Sequence, residues 1–212
     1  GGTRKMKVHC VCRCQREEKK AQEQRMRYEE ERRQIDSLKQ LSLLDAKSRE
    51  VCFRTYEVKP ENQRVFGIAQ KYVENFDEMY EQSQGMLFWG DVGTGKSYTA
   101  AAIANELMER MNPVIMTSFV KLLQDTDNGS YMNRLNRAKL LIIDDLGAER
   151  SSDYTLEKVY DIIDSRYRTG KPVIFTTNLT MQQMKECTDI RYNRIYDRIF
   201  ERYASMKKIL EG

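Results

Sequence analysis

Apolar residues recur along the chain in two rhythms, and their alternation predicts an α/β fold. Short unbroken runs at 86–89, 113–117, 140–143 and 173–176 have the length and the β-branched or aromatic content of buried strands. Between them the spacing becomes helical. Val65, Ile68, Ala69, Tyr72, Val73 and Phe76 share one face of a helix over 61–82; Leu156, Val159, Tyr160, Ile163 and Tyr167 share one face of another, ended by Gly170 and Pro172. Helices over 97–111 and 190–203 complete the series, while the polar, glycine-containing stretch 125–130 reads as a loop. Strands that alternate with helices pair in parallel and are covered on both faces. A further edge strand is expected at 206–210, for a parallel five-stranded sheet between helices.

Ahead of this body the pattern changes. Residues 15–43 contain no Gly or Pro, and 13 of residues 16–33 are charged, which predicts a solvated helix with Glu23/Arg27 and Glu29/Arg33 at pairing distance. Ile35, Leu38, Leu41, Leu43 and Leu44 give its second half an apolar side for docking on the body or on a partner. Residues 45–60 form a connector. The expected organisation is a cysteine-rich remnant at 1–14, a charged helical extension at 15–50 and the α/β domain at 51–212.

The first strand runs into Gly90, Asp91, Val92, Gly93, Thr94, Gly95, Lys96 and Ser97, followed by Tyr98, which satisfies the phosphate-loop pattern G-x-x-x-x-G-K-[ST] between a strand and a helix. The spacing carries the chemistry. Loop glycines let successive N–H groups turn inward around a phosphate, and the helix beginning near Lys96 aims its positive end at the same point. Lys96 then reaches the β- and γ-phosphates, and the Ser97 hydroxyl meets Mg²⁺. The third strand ends in Asp144 and Asp145, at the sheet edge where ligands of open α/β sheets bind. Asp144 is the expected magnesium ligand and Asp145 the carboxylate that positions the attacking water. The fourth strand delivers Asn178 to that edge as a neutral sensor of phosphate and water. Arg191, Arg194, Arg198 and Arg202 follow, the last three along one helical face, open to reading as a salt-bridged surface or as cations for a phosphate.

Composition adds three constraints. Residues 1–50 hold 14 Lys/Arg against 9 Asp/Glu, leaving a balanced 22 against 23 in the rest, so any basic attraction to nucleic acid or an acidic partner lies in the arm. No apolar run approaches membrane-spanning length and no leader-like apolar segment follows the start; the Gly-Gly start without an initiator Met sets the expectation of a protein continuing upstream, and the isolated Cys52 and Cys187 that of a reduced, cytoplasmic one. His9, Cys10, Cys12 and Cys14 are dense enough for half of a zinc site, the alternative being exposed thiols; the odd, scattered set of five cysteines argues against a disulfide framework.

The ordered set of phosphate loop, Leu-Ile-Ile-Asp-Asp-Leu-Gly-Ala-Glu, Phe-Thr-Thr-Asn-Leu and Tyr-Asp-Arg-Ile-Phe-Glu-Arg resembles the AAA+ ATPases of the DnaC/DnaI helicase-loader and IstB transposition-helper clade, over about residues 51–212. The resemblance implies no C-terminal lid domain, MgATP held by Lys96, Ser97 and Asp144, hydrolysis by Asp145, Asn178 as sensor one and Arg198 as an arginine finger acting across a self-associated ATP interface. It further implies a DnaB-like replicative ring helicase and single-stranded DNA as partners, with a Zn²⁺-bearing N-terminal region that engages the helicase. Asp145 stands where many AAA+ proteins carry glutamate, implying slow, switch-like turnover, and a sensor-two arginine is expected beyond Gly212. Single-stranded DNA is expected to meet Lys121, Tyr131, Arg134 and Arg137. A transposition helper and a nucleotide-gated adaptor with little turnover are the competing readings.

Overall fold

The computed structural model describes residues 13–42, 46–124, 129–147, 153–203 and 210–211. The charged helix α1 (Arg13–Leu41) is followed by the short α2 (Ala46–Glu50) and a 3-10 turn at Phe53–Thr55. The expected helix over 61–82 is two, α3 (Gln63–Glu74) and α4 (Phe76–Glu81). Asn75 makes the break: its side-chain amide donates to the Lys71 carbonyl at 2.8 Å, ending one helix, while its own carbonyl accepts from Met79 N–H at 3.0 Å and starts the next.

The α/β body then runs β1 (Met86–Trp89), α5 (Lys96–Glu109), β2 (Val114–Ser118), α6 (Phe119–Gln124), α7 (Gly129–Arg137), β3 (Leu140–Asp144), α8 (Asp153–Arg168), β4 (Val173–Thr177), α9 (Met181–Lys185), α10 (Ile190–Tyr203) and β5 (Leu210–Glu211). All pairings are parallel, in the order β2-β3-β4-β1-β5. Four strands of four or five residues make the sheet proper. The fifth is a two-residue pairing, Leu210–Glu211, beside Phe88 and Trp89; of the strand expected at 206–210 only Leu210 is described, residues 204–209 lying outside the described set.

Alternation along each strand divides the core in two. Met86, Phe88, Leu140 and Ile142 face a layer with α3 and α5, whereas Leu87, Leu141, Ile143 and Phe175 face α6, α7, α8 and α10. The second half of α1 belongs to the first layer, where Ile35 is buried. Ser42, just past the helix, accepts from Met116 N–H and donates to Met116 C=O, both at 3.2 Å, satisfying the free edge of β2. Ile35 of the expected apolar side therefore docks on the domain itself; the side chains of Leu38, Leu41, Leu43 and Leu44 lie outside the described residues. Along its outer face Arg27 pairs with Glu31 at 3.0 Å, not with the expected Glu23.

Arg166, which the sequence reading passed over, is fully buried on α8. Its guanidinium donates to the carbonyls of Leu135, Ala138, Lys139 and Pro172 at 2.8–3.1 Å, and Lys171 Nζ donates to the Asn136 carbonyl at 2.6 Å. Together they satisfy the last-turn carbonyls of α7 and hold its turn into β3 against the start of β4. Arg166→Met leaves several buried carbonyls unpaired and is expected to cost about 3–5 kcal/mol. Urea unfolding measures this, and a loss under about 1 kcal/mol would mean that water replaces the guanidinium.

Candidate active site

The site lies where β1, β3 and β4 end. Gly95, with φ +83°, turns the chain out of the loop and into α5, a conformation that glycine adopts without steric cost. Lys96 folds over the loop. Its ammonium donates to the carbonyls of Gly90 and Asp91 at 2.9 and 2.6 Å and to Thr94 Oγ1 at 3.3 Å. Desolvation lowers its pKa, while Asp145, Asp91 and Asp144 act in the opposite sense.

Across the cavity the ends of β3 and β4 form one hydrogen-bonded unit. Thr176 Oγ1 donates to Asp144 Oδ1 and accepts from Asp145 N–H at 2.9 Å; Asn178 Nδ2 donates to Asp145 Oδ1 at 3.0 Å. Asp145 is left-handed, with φ +58°, a region that aspartate tolerates better than most residues and that here aims its carboxylate at Asn178. Leu146 N–H and C=O bond to Thr176 C=O and Thr177 Oγ1 at 2.8 and 2.7 Å. Sequence reasoning brought Thr176 to this edge without a role; its hydroxyl in fact aligns both aspartates. A strand-end threonine facing an aspartate on the neighbouring strand was the available signal, but the β3–β4 register is needed to see it.

A cavity of about 370 Å³ is lined by Val92, Gly93, Gly95, Lys96, Ser97, Tyr98, Asp144, Asp145, Thr176 and Asn178, so six of the predicted loop residues, the aspartate pair and the asparagine meet in one space, while Gly90, Asp91 and Thr94 do not line it. Ser97 and Asp144 fit Mg²⁺: they are hard oxygen donors lining the same cavity, too few for an all-protein cage and suited to an ion that keeps waters and phosphate oxygens. Among the described residues no cluster of three or more His, Cys, Asp or Glu could hold a metal by itself. A second cavity of about 400 Å³ shares Gly93, Gly95 and Tyr98 with the first and adds Tyr56, Glu57 and Asn62. Tyr56 bonds Thr99 Oγ1 at 2.7 Å and packs edge-on to Tyr98, with ring centroids 5.3 Å apart. The connector is thus part of the site, which its lack of periodicity concealed.

Gly147 closes the turn after the aspartates at φ +88°; a Cβ there would lie 2.6 Å from Leu179 Cδ1 and 3.0 Å from the Tyr196 hydroxyl. Gly147→Ala is expected to cost about 2 kcal/mol or more through the left-handed backbone and this overlap. A thermal melt should fall by several degrees, and an unchanged melt would show that the turn yields.

Other expected residues fall elsewhere. Arg198 does not line the cavity: its Nε is 3.0 Å from Asp164 Oδ1, its Nη1 donates to Glu201 Oε2 at 2.6 Å, and its guanidinium lies over the Tyr167 ring at 5.0 Å. Glu201 first, then Tyr160, raise its pKa further above the ordinary arginine value. Arg194 stacks on Tyr160 at 4.3 Å, Arg191 pairs with Asp189, and the side chain of Arg202 is outside the described set. Tyr131 is buried, its hydroxyl 2.8 Å from Thr117 Oγ1, so it offers no stacking face beside Lys121, Arg134 and Arg137, and that part of the DNA expectation is corrected. His9, Cys10 and Cys12 lie outside the described residues, as does the Cys14 side chain. No described helix is long and apolar enough to cross a membrane.

Known proteins resemble this chain. The chain is 31% identical over 158 residues to the phage-like element PBSX protein XkdC of Bacillus subtilis, covering 68% of this chain and 59% of that protein. To the replicative helicase loader DnaC of Escherichia coli K12 it is 32% identical over 157 residues, covering 69% and 62%. The chain therefore spans about three fifths of the length of these relatives. Among solved structures the DnaI crystal structure superposes with TM-score 0.66 at 23% identity, over 80% of this chain and 95% of that one. The DnaC helicase loader crystal structure gives 0.64 at 24%, over 79% and 99%. These two likenesses show the shared α/β fold, in which no separate lid follows the sheet among the described residues. The family profile for IstB-like ATP binding protein matches residues 20–204, nearly the whole chain, and on that match the chain belongs to the IstB/DnaC-like family of P-loop AAA+ ATP-binding proteins.

Proposed function

We infer that the chain is a MgATP-dependent loader that escorts a DnaB-like ring helicase onto single-stranded DNA, hydrolysing ATP slowly between a gripping and a releasing state. The observation that carries the reading is the convergence of Lys96, Ser97, Asp144, Asp145 and Asn178 on one cavity, in a chain similar to a protein named as a replicative helicase loader. The triphosphate lies along the loop, with Lys96 on the β- and γ-phosphates and Ser97 and Asp144 toward Mg²⁺, which neutralises phosphate charge when bound. Asp145 and Asn178 orient the attacking water, held in register by Thr176. The neighbouring cavity takes the base and ribose beside Tyr56 and Tyr98, which both line it. Arg198, tied to α8 and away from its own cavity, serves the site of an adjoining copy.

Its place of action on this reading is the cytoplasm, where the replicative helicase works. A transposition helper is the second reading, favoured by the IstB description of the matching family. The discriminating experiment offers the chain, with and without ATP, a DnaB-like ring helicase plus circular single-stranded DNA, and separately a transposase plus duplex DNA. ATP-dependent helicase loading on the circle supports the loader. ATP-dependent assembly only on duplex with the transposase would replace it.

A further inference from the structure

A recess of about 640 Å³, away from the carboxyl-edge cavity, opens where α1 passes α7. Glu30, Arg33 and Ser37 of α1, Arg134 and Arg137 of α7 and Pro113 at the foot of β2 line it. It lies at the amino end of the sheet. Pro113 precedes the first residue of β2, and Arg137 ends the helix that leads into β3, whereas the ATP cavity sits beyond the last residues of β1, β3 and β4.

The lining has a definite chemistry. Three guanidiniums face one carboxylate, and none of the three has an ion-pair or hydrogen-bond partner among the described residues. Arg33 sits two residues before the buried Ile35, on the docked part of α1, so the helix presents it from a fixed place rather than from a free arm. Guanidinium forks match phosphate oxygens bidentately. The groove holds no aromatic or long aliphatic side chain that could anchor a protein partner or stack a base, and the nearby Tyr131 ring is buried beneath α7 with its hydroxyl on Thr117.

We propose that this groove seats the sugar-phosphate backbone of a nucleic acid, Arg33, Arg134 and Arg137 each taking a phosphate while the bases face away. The proposal rests on the nucleic-acid partner of the loader reading and adds the place and mode of contact. It makes the amino-terminal helix a wall of the binding site instead of a tether, and binding becomes insensitive to base identity. Glu30 sits among the arginines as a brake on affinity.

The test is fluorescence anisotropy of a labelled oligothymidine strand, and of a duplex of equal length, titrated with the intact chain at several salt concentrations. Arg33→Ala/Arg134→Ala/Arg137→Ala should weaken binding by about tenfold or more and flatten the slope of log affinity against log salt by about 2, because each single-strand phosphate contact contributes about 0.7. Glu30→Gln should tighten binding. MgATP affinity, read by a fluorescent ATP analogue, should be unchanged in both variants, which shows that they are folded. Stronger wild-type binding to the strand or to the duplex identifies which backbone occupies the groove. The proposal is overturned, with the loader reading intact, if the triple variant keeps wild-type affinity and slope, or if polyglutamate displaces the oligonucleotide at equal charge. If the wild-type chain binds MgATP but neither nucleic acid, the nucleic-acid reading falls and the groove assignment with it.

Discussion

Lys96→Ala is expected to lower MgATP affinity by about 100-fold while leaving the fold intact. A charge-assisted hydrogen bond to phosphate contributes about 1.5–3 kcal/mol, and Lys96 is the only cation among the described residues that line the cavity. Removing it also unties the loop, because its ammonium bridges the Gly90 and Asp91 carbonyls and Thr94. Asp145→Asn should behave differently. Asparagine keeps the shape and can still meet Asn178, and Asp144 still holds the metal, so affinity should change by no more than about twofold while turnover falls by about 10² to 10⁴. Titration of the fluorescent ATP analogue, with the chain's single tryptophan, Trp89, as energy donor beside the loop, reads the first effect. Equal loss of affinity in both variants would contradict the division of roles.

Arg198→Ala is expected to cut the hydrolysis rate of the assembled protein by about 10³ or more, in line with arginine fingers elsewhere, with little change in nucleotide affinity. On its own chain Arg198 is held by Asp164 and Glu201 over Tyr167 and does not line the cavity, so on the proposed reading it meets the charge developing on the γ-phosphate of a neighbouring copy. Mixing Arg198→Ala with Lys96→Ala tests this. The first variant has an intact site and no finger, the second an intact finger and no site, so about a quarter of head-to-tail interfaces in an equal mixture regain both. Partial recovery of phosphate release is the expected result. No recovery across concentrations that support assembly would exclude action in trans, and full activity of Arg198→Ala alone would move the role to Arg194 or Arg202.

Much of this was legible in the sequence because the relevant signals are local. Four short apolar runs separated by helical spacing specify a parallel sheet, and a phosphate loop between a strand and a helix specifies where its ligand goes. Asp144 and Asp145 were assigned on the same ground, since a buried strand delivers its next residues to the carboxyl edge. What escaped was set by register and by long-range packing. Thr176 gains its role only once β4 lies beside β3, and Tyr56 only once the connector folds back onto Tyr98 and Thr99. Arg166 reads as an ordinary surface cation until α7 and β4 close around it. Tyr131 failed in the opposite sense: an aromatic beside basic residues looks like a stacking surface, yet at its helical position it faces Thr117 in the core. The outer arginines of α1 show the limit of spacing rules, for Arg27 took Glu31 although Glu23 lay equally near along the helix.

The central claim, that the carboxyl-edge cavity is a MgATP hydrolysis site built by Lys96, Asp144 and Asp145, is tested most directly by steady-state phosphate release from the wild-type chain, Lys96→Ala and Asp145→Asn, with and without single-stranded DNA. The account predicts slow release by the wild type that depends on Mg²⁺, and near-background release by both variants under every condition. Release by either variant at the wild-type rate, or wild-type release no greater than background although MgATP is bound, would contradict it.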